Sequence, residues 1–379
     1  MINKQYINSI SIIVGTAVGA GIFALPYAMA KAGVGISLFY LVVLGLVSIV
    51  LVLAYGEVIL RTNDHLQIIG YTKKYLGNNW RVIALVSFIA GITGALIAYT
   101  IQVGEFLETL LGPMLGGSAS TYSLVYFIIV SLIVLAGLGM IVQFEKYMVA
   151  LLILVVCTIL FSGFPKIEWV NLTTFNAYYL FLPYGVILFA ISAASAIPDA
   201  KVALKKNKKL FSVIKYGMIV PLIIYILFSV AVVGISGAGT HEGAIPGLTP
   251  YLGNWVVLLG ILFGIIAMTT SFLTLGLVIR EIYQLDFKIP RFYAWLMAMI
   301  PPFLVVVLHL ASFVSTISLV GGVMGGFDGI IVLLMWRKAR NMGDRQPECK
   351  INIPFWIQVF MLLVFSIGIV YELYYHIFA

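Results

Sequence analysis

The sequence predicts an all-α membrane protein of eleven transmembrane helices, forming a single membrane domain over residues 1–379. Of its residues 62% are hydrophobic and 9% charged, with a mean hydropathy of +1.12. A soluble globular domain carries about 25% charged residues. Apolar runs long enough to span a bilayer, about 20 residues as helix, fill nearly the whole chain. The few basic residues gather at alternate ends of those runs.

In chain order the spans cover about 8–31, 36–60, 82–111, 121–142, 147–165, 176–198, 211–236, 254–283, 292–311, 313–336 and 353–377. With the N-terminus in the cytoplasm, 20 of the 22 Lys and Arg residues fall on cytoplasmic ends and loops. Only Lys31 and Lys166 do not, which is a strong positive-inside pattern. The expectation is a multi-pass protein of the inner (plasma) membrane with its C-terminus outside. Topology therefore accounts for the net charge of +8, and nucleic acid is not an expected partner. The basic cluster at 201–209 reads as a topology determinant, with anionic lipid head groups as the alternative. Lys4 and Ala28-Met29-Ala30 resemble parts of a cleaved signal peptide. The long apolar stretch is interrupted by Pro26, however, and the charge pattern needs this span to stay. Cys157 and Cys349 lie in an apolar run and a cytoplasmic loop, with neither disulfide nor metal-ligand spacing.

The first span, "VGTAVGAGIFALPYAMAKAG" (14–33), holds Gly15, Gly19, Gly21, Gly33 and Pro26. Each Gly in an exposed helix interior costs about 1 kcal/mol relative to Ala, and Pro about 3. The sixth span, "YLFLPYGVILFAISAASAIPDA" (179–200), holds Pro183, Gly185 and Pro198 around the small patch Ser192-Ala193-Ala194-Ser195. Interrupted spans at matching places in two sets of five point to an inverted repeat with a site at mid-membrane. The repeats would be about 8–165 and 176–336, and the helix at 353–377 an appendage. Unwinding near residues 17–21 frees backbone N–H groups that suit a carboxylate, and carbonyls that suit an ammonium or a small cation. Gly19 and Gly21 remove side chains, so a ligand can approach the backbone. The ligand this suggests is an amino acid. Gly19-Ala20-Gly21-Ile22-Phe23-Ala24 also satisfies a dinucleotide fingerprint, but no βαβ unit surrounds it. Gly15 and Gly19 form a GxxxG packing motif, which explains neither Pro26 nor the sixth span.

"GTAVGAGIFALP" (15–26) resembles the first-helix motif of the amino acid/auxin permease and hydroxy/aromatic amino acid permease families. "YGVILFAISAASAIP" (184–198) is similar to their sixth helix and "TTSFLTLG" (269–276) to their eighth. The resemblance implies a LeuT-like five-plus-five inverted-repeat fold and symport of a neutral amino acid with a cation by alternating access. Aromatic-specific members tend to carry a His in the sixth-helix patch, where this chain has Ala194. With the physics above, it implies that the N–H groups of Ala20 and Gly21 hold the substrate carboxylate, with Thr16 adding its hydroxyl. The carbonyls of Ala17, Phe189 and Ala190 would take the ammonium, and Ser192 and Ser195 would line the side-chain pocket. Tyr99 resembles the gating tyrosine; the alternative is an ordinary aromatic at a helix interface.

The coupling ion is the only accessory group expected. Carbonyls of Gly15, Val18 and Ala267 with the hydroxyls of Thr270 and Ser271 resemble a sodium site; hydroxyls bonded back to their own helix are the alternative. Asp328, between Gly326 and Gly329, is the proton candidate. Arg337, nine residues on, faces the opposite side of that helix, and a structural role for Asp328 stays open. Sodium is slightly favoured, because five oxygens converge by motif. Glu57 and Arg61 form an i,i+4 pair with a structural reading, while Glu105 and Glu108 sit near the outer end of the third span. His65, His241, His309 and His376 are scattered, and enzyme chemistry has no support. The alternative function is a transporter-fold sensor that binds an amino acid without accumulating it.

Overall fold

The first apolar run folds as two helices, α1 (Lys4–Ala17) and α2 (Gly21–Ala32), which meet at 51° across residues 18–20. This computed structural model describes residues 4–137, 145–204 and 206–378. Lys205 and the last part of the expected fourth span lie outside them, as does the side chain of Lys146. After the break come α3 (Val34–Arg61), the short α4 (Ile68–Leu76), the long α5 (Asn78–Leu115), α6 (Ala119–Ala136) and α7 (Glu145–Gly163). The sixth span is again two pieces, α8 (Leu182–Ala190) and α9 (Ile197–Ala203), joined by an irregular stretch and one 3₁₀ turn. Then follow α10 (Leu210–Ser236), the single turn α11 (Thr249–Leu252), α12 (Asn254–Glu281) and α13 (Arg291–Val307). The tenth span consists of α14 (Phe313–Leu319), a π-helical turn (Val320–Met324) and α15 (Gly325–Met342); α16 (Phe355–Phe378) ends the chain.

Among the described residues nine helical runs are long and apolar enough to cross a membrane, and the bent α1–α2 pair makes a tenth. α13, at 17 residues, occupies the expected ninth span. It stops at Val307 rather than 311, with Pro301 and Pro302 inside it and a left-handed φ of 52° at His309. Each of the eleven apolar runs thus has a helical counterpart. Apolar side chains such as Phe39, Leu46, Leu132, Ile223 and Leu363 point outward from the bundle, as a lipid-facing surface requires.

The broken helices lie at the centre. α2 packs on α8 and α10, α1 on α7, α9 and α10, and α8 on the π turn of the tenth span. Two glycines set how closely these backbones approach. A Cβ at Gly21 would sit 2.6 Å from both Cα and Cβ of Ala190, and one at Gly321 would sit 2.6 Å from the Phe189 nitrogen. Neither position has room for a side chain.

At the end of the bundle carrying the basic loops, Glu57 is buried and fully engaged. It accepts from Arg61 Nε (2.8 Å) and Nη2 (2.6 Å), from Trp336 Nε1 (3.0 Å) and from the Ile351 N–H (2.9 Å). One carboxylate therefore ties α3 to α15 and to the segment entering α16. A more exposed pair lies beside it, Lys74 Nζ to Asp344 at 2.6 Å. Removing one partner of a buried ion pair typically costs about 3–5 kcal/mol, and an exposed pair contributes about 0–1. Glu57→Ala is expected to lower the thermal unfolding midpoint of the purified protein far more than Lys74→Ala does. Equal midpoints for the two variants would show that the Glu57 knot does not hold these elements together.

Candidate functional site

A cavity of about 270 Å³ opens where the two broken spans meet. That is slightly below the usual range for drug-sized ligands, about 300–1,000 Å³, and suits a small molecule. Among the residues singled out from sequence, Gly15, Thr16, Ala17, Val18, Gly19 and Gly21 line it from the first span. Tyr99 lines it from α5, and Phe189, Ser192 and Ser195 from the sixth span. Ala267, Thr270 and Ser271 of α12 and Asp328 of α15 complete the set. Ala20 and Ala190 are buried outside the lining, so only their backbones are of use to a ligand. Thr16, Ser192 and Ser195 are exposed.

α2 begins with no side chain capping its first turn. Backbone donors at such a start lack intrahelical partners, and they carry the positive end of the helix dipole. The two glycines of the break differ in role. A Cβ at Gly19 would meet only the Tyr99 hydroxyl, at 3.6 Å, so that face is open towards the cavity. Gly21 is instead held to glycine by Ala190 across the α2–α8 contact, a packing reason that the sequence reading did not contain.

The carbonyls at the breaks already have donors. Ala17 O accepts from the Gly19 N–H at 3.1 Å, and Phe189 O from the Ser192 N–H at 3.3 Å. Tyr225, fully buried on α10, brings its hydroxyl within 2.7 Å of Ala17 O and 2.8 Å of Ala190 O. A hydroxyl has a single proton, so it serves one of the two carbonyls at a time. Sequence reasoning missed Tyr225, because no spacing within the seventh span marks it among the apolar residues around it.

On α12 the Thr270 hydroxyl donates to Ala267 O at 2.9 Å, the back-bonded geometry named as the alternative. Thr270 still lines the cavity. Ser271 lies within hydrogen-bonding reach of the Tyr99 hydroxyl. Asp328 does have a partner, on another helix: its Oδ1 accepts from Ser87 Oγ of α5 at 3.4 Å. No group of three or more His, Cys, Asp or Glu that could hold a metal occurs among the described residues.

The cavity is closed at one end by aromatic rings. Phe23 packs edge-on against Phe106 (5.4 Å between centroids) and Phe228 (6.5 Å), and tilts against Phe263 (6.3 Å). Phe263 itself lines the cavity, and Phe23 and Phe106 lie beyond the cavity residues of α2 and α5, away from the basic end. Towards the basic end the lining continues to Ile68 of α4 and to Val149 and Leu152 of α7.

A family model described as the tryptophan/tyrosine permease family matches residues 2–374. The chain is 23% identical over 359 residues, 89% of each chain, to "Tyrosine-specific transport system 1" of Haemophilus influenzae. It is 25% identical over 284 residues to "Glutamine transporter 2" of Aliivibrio fischeri, covering 72% of this chain and 73% of that one. Among solved structures, that of MhsT in complex with L-phenylalanine aligns over 98% of both chains with a TM-score of 0.71 at 18% identity. The fold is therefore LeuT-like. With the family match running almost end to end, this chain belongs to the tryptophan/tyrosine permease family and is a multi-pass membrane transporter of amino acids, not an enzyme.

Proposed function

We propose that the chain is a cation-coupled symporter of a neutral amino acid, working by alternating access with its N-terminus cytoplasmic and its C-terminus outside. One observation carries this reading: two broken helices present opposite dipole ends to one small cavity. The first-turn N–H groups of α2, at Ala20 and Gly21, receive the carboxylate, with the Thr16 hydroxyl beside them. The carbonyls of Ala17, Phe189 and Ala190 receive the ammonium. Tyr225 supports that assignment: Ala17 O accepts also from the Gly19 N–H, so when the single Tyr225 proton turns to Ala17 O it is Ala190 O that lacks a donor, and an ammonium supplies one. Ser192 and Ser195 border the side-chain pocket. Relatives named for tyrosine and glutamine, and a structural neighbour crystallised with phenylalanine, all handle neutral amino acids.

In this reading the phenylalanine cluster is the shut outer gate, and the cavity leads towards the cytoplasm. The repeats at about 8–165 and 176–336 provide the two units that rock against each other. Sodium would sit among the oxygens of Gly15, Val18, Ala267, Thr270 and Ser271. A hydroxyl that donates to Ala267 O keeps its lone pairs for a cation. Asp328, on the wall of the same cavity, supports the competing proton reading.

Three outcomes are expected. Gly19→Val fills the open face under Tyr99 and should abolish phenylalanine and tyrosine binding in a thermal-shift assay, while tyramine, lacking the carboxylate, should bind roughly ten- to hundredfold more weakly than tyrosine to the unaltered protein. Tyramine binding as tightly as tyrosine would remove the carboxylate assignment. Tyr225→Phe should lower the stability of the substrate-free protein by about 1–3 kcal/mol, the usual cost of an unsatisfied buried acceptor. It should also enlarge the stabilisation by phenylalanine; a variant matching wild type in both respects excludes the bridging role. In proteoliposomes, labelled phenylalanine or tyrosine should accumulate and stop accumulating when choline replaces sodium. Thr270→Ala with Ser271→Ala should show the same loss, and Asp328→Asn should not. Accumulation indifferent to choline but collapsed by a protonophore makes Asp328 the coupling residue, and binding without any accumulation indicates a sensor.

A further inference from the structure

The tenth span is a thin wall with chemistry on both sides. Gly321 and Asp328 line the substrate cavity. Gly322, Gly326 and Gly329 face the other way, onto α16: a Cβ at Gly326 would fall 2.7 Å from Ile369, and one at Gly329 would fall 2.6 Å from the Phe365 ring. Gly322 sits against the side chain of Glu372 with no room for a Cβ. The helix that the sequence marks as an appendage therefore presses a carboxylate onto the π turn.

Glu372 is 1% exposed. Its Oε1 accepts from Ser318 Oγ at 2.9 Å, and a Cβ on Gly185 of α8 would lie 2.5 Å from the same oxygen. Among the described residues Oε2 has no hydrogen-bond partner, and His376 Nδ1 stands 3.5 Å away. The imidazole itself is placed between two acceptors. Nδ1 lies 2.9 Å from Glu372 O, and Nε2 lies 3.2 Å from Ser315 O. Carbonyls only accept, and a neutral imidazole has a single N–H, so only the doubly protonated ring satisfies both contacts. A ring so protonated would have Glu372 as its counter-charge. With the ring neutral, a buried carboxylate is left without a compensating charge, which is costly at this depth. A void of about 10 Å³ beside Glu372, walled by Tyr178, Tyr179, Tyr371 and Tyr375, is the size of one water.

The groups facing the pair come from every packed element. α8 contributes Tyr184, which donates to Val364 O of α16 at 3.1 Å. α14 contributes Ser315 and Ser318, and the segment before α8 and α16 itself contribute the four tyrosines above. Further out lie Lys31 of α2, whose Nζ is 6.0 Å from the Tyr179 ring and 5.2 Å from that of Tyr27, and the acid Glu242, which accepts from the Val314 N–H of α14 at 3.4 Å.

We propose that Glu372 and His376 form a proton-binding site on the far side of the tenth span from the substrate, and that its occupancy is read by the broken sixth helix. Loading adds one proton, taken from water at the tyrosine-walled void, to the imidazole; the pair passes from net negative to net neutral, and release returns the proton to water. The coupling path is short. Gly185 touches the carboxylate, and the same helix ends four and five residues later in Phe189, which lines the cavity, and Ala190, whose carbonyl meets Tyr225. Filling from the outside, and any effect on uptake, rest on the symporter reading; proton binding does not.

The test uses the full-length protein with ¹⁵N-labelled histidine in lipid nanodiscs, the His376 signals being assigned by their loss in His376→Gln. At neutral pH both ring nitrogens of His376 should carry protons, and in Glu372→Gln one of them should be lost; Ser318→Ala, which keeps both titratable groups, should retain both. A singly protonated His376 in the unaltered protein, or no change in Glu372→Gln, overturns the site. For the coupling, labelled phenylalanine uptake into proteoliposomes at fixed internal pH should vary with external pH. His376→Gln should flatten that profile without changing phenylalanine binding. An unchanged profile overturns the coupling to the sixth helix, whereas absence of all uptake with the protonated ring present rejects the symporter reading and leaves the proton site standing.

Discussion

Everything in this molecule follows from the obligation to satisfy backbone groups where a membrane helix is interrupted. Within hydrocarbon no water supplies missing partners, and irregular backbone survives only when protein or a polar cavity surrounds it. The break at 18–20 and the one after Ala190 are therefore buried at the centre, with α10 behind them and α5 and α12 around them. Tyr225 is the local answer to that obligation. It reaches from an unbroken helix to the carbonyls ending both broken ones, which fixes their spacing and leaves one proton between two acceptors.

Close backbone approach is the second constraint, and it distributes the glycines. Gly21 brings α2 against Ala190, and Gly321 brings the π turn against Phe189. These contacts bring the sixth-span carbonyls next to the first-span break. Gly19 differs from them in having space above it, bounded by a tyrosine hydroxyl. Gly19 and Gly21 stand two residues apart in the first span; only the fold separates the one that serves packing from the one that opens a face.

The sequence announced whatever depends on local pattern. Spans appear as apolar runs, the breaks as glycine and proline at matching places, and the bend falls within the expected residues 17–21. Most of the residues singled out line one cavity, because the motifs lie where helices stop. What stayed hidden depends on partners distant in the chain. Ser87 meets Asp328 across 241 residues and Tyr225 meets Ala17 across 208; no periodicity records such pairings. His376 belongs here too. Its i,i+4 spacing from Glu372 is visible in the sequence, but the carbonyl of Ser315 and the fit of Glu372 on Gly322 are not.

The rarity of charge sharpens the meaning of the acids that remain within the spans. Glu57 is saturated by four donors from three segments, so it holds structure and has little capacity left for anything else. Asp328 and Glu372 are each left with spare acceptor capacity on opposite faces of the same glycine-rich wall, Glu372 against its π turn and Asp328 four residues past it. A π turn interrupts the regular hydrogen-bond ladder of a helix and is favoured at functional sites. Here it lies between the cavity and α16, and it packs directly on α8. A charge gained or lost on either face of this wall acts on a backbone with no side chains to cushion it at Gly321 and Gly322. On the proposed reading, the tenth span is the element through which an ion acts on the substrate without touching it.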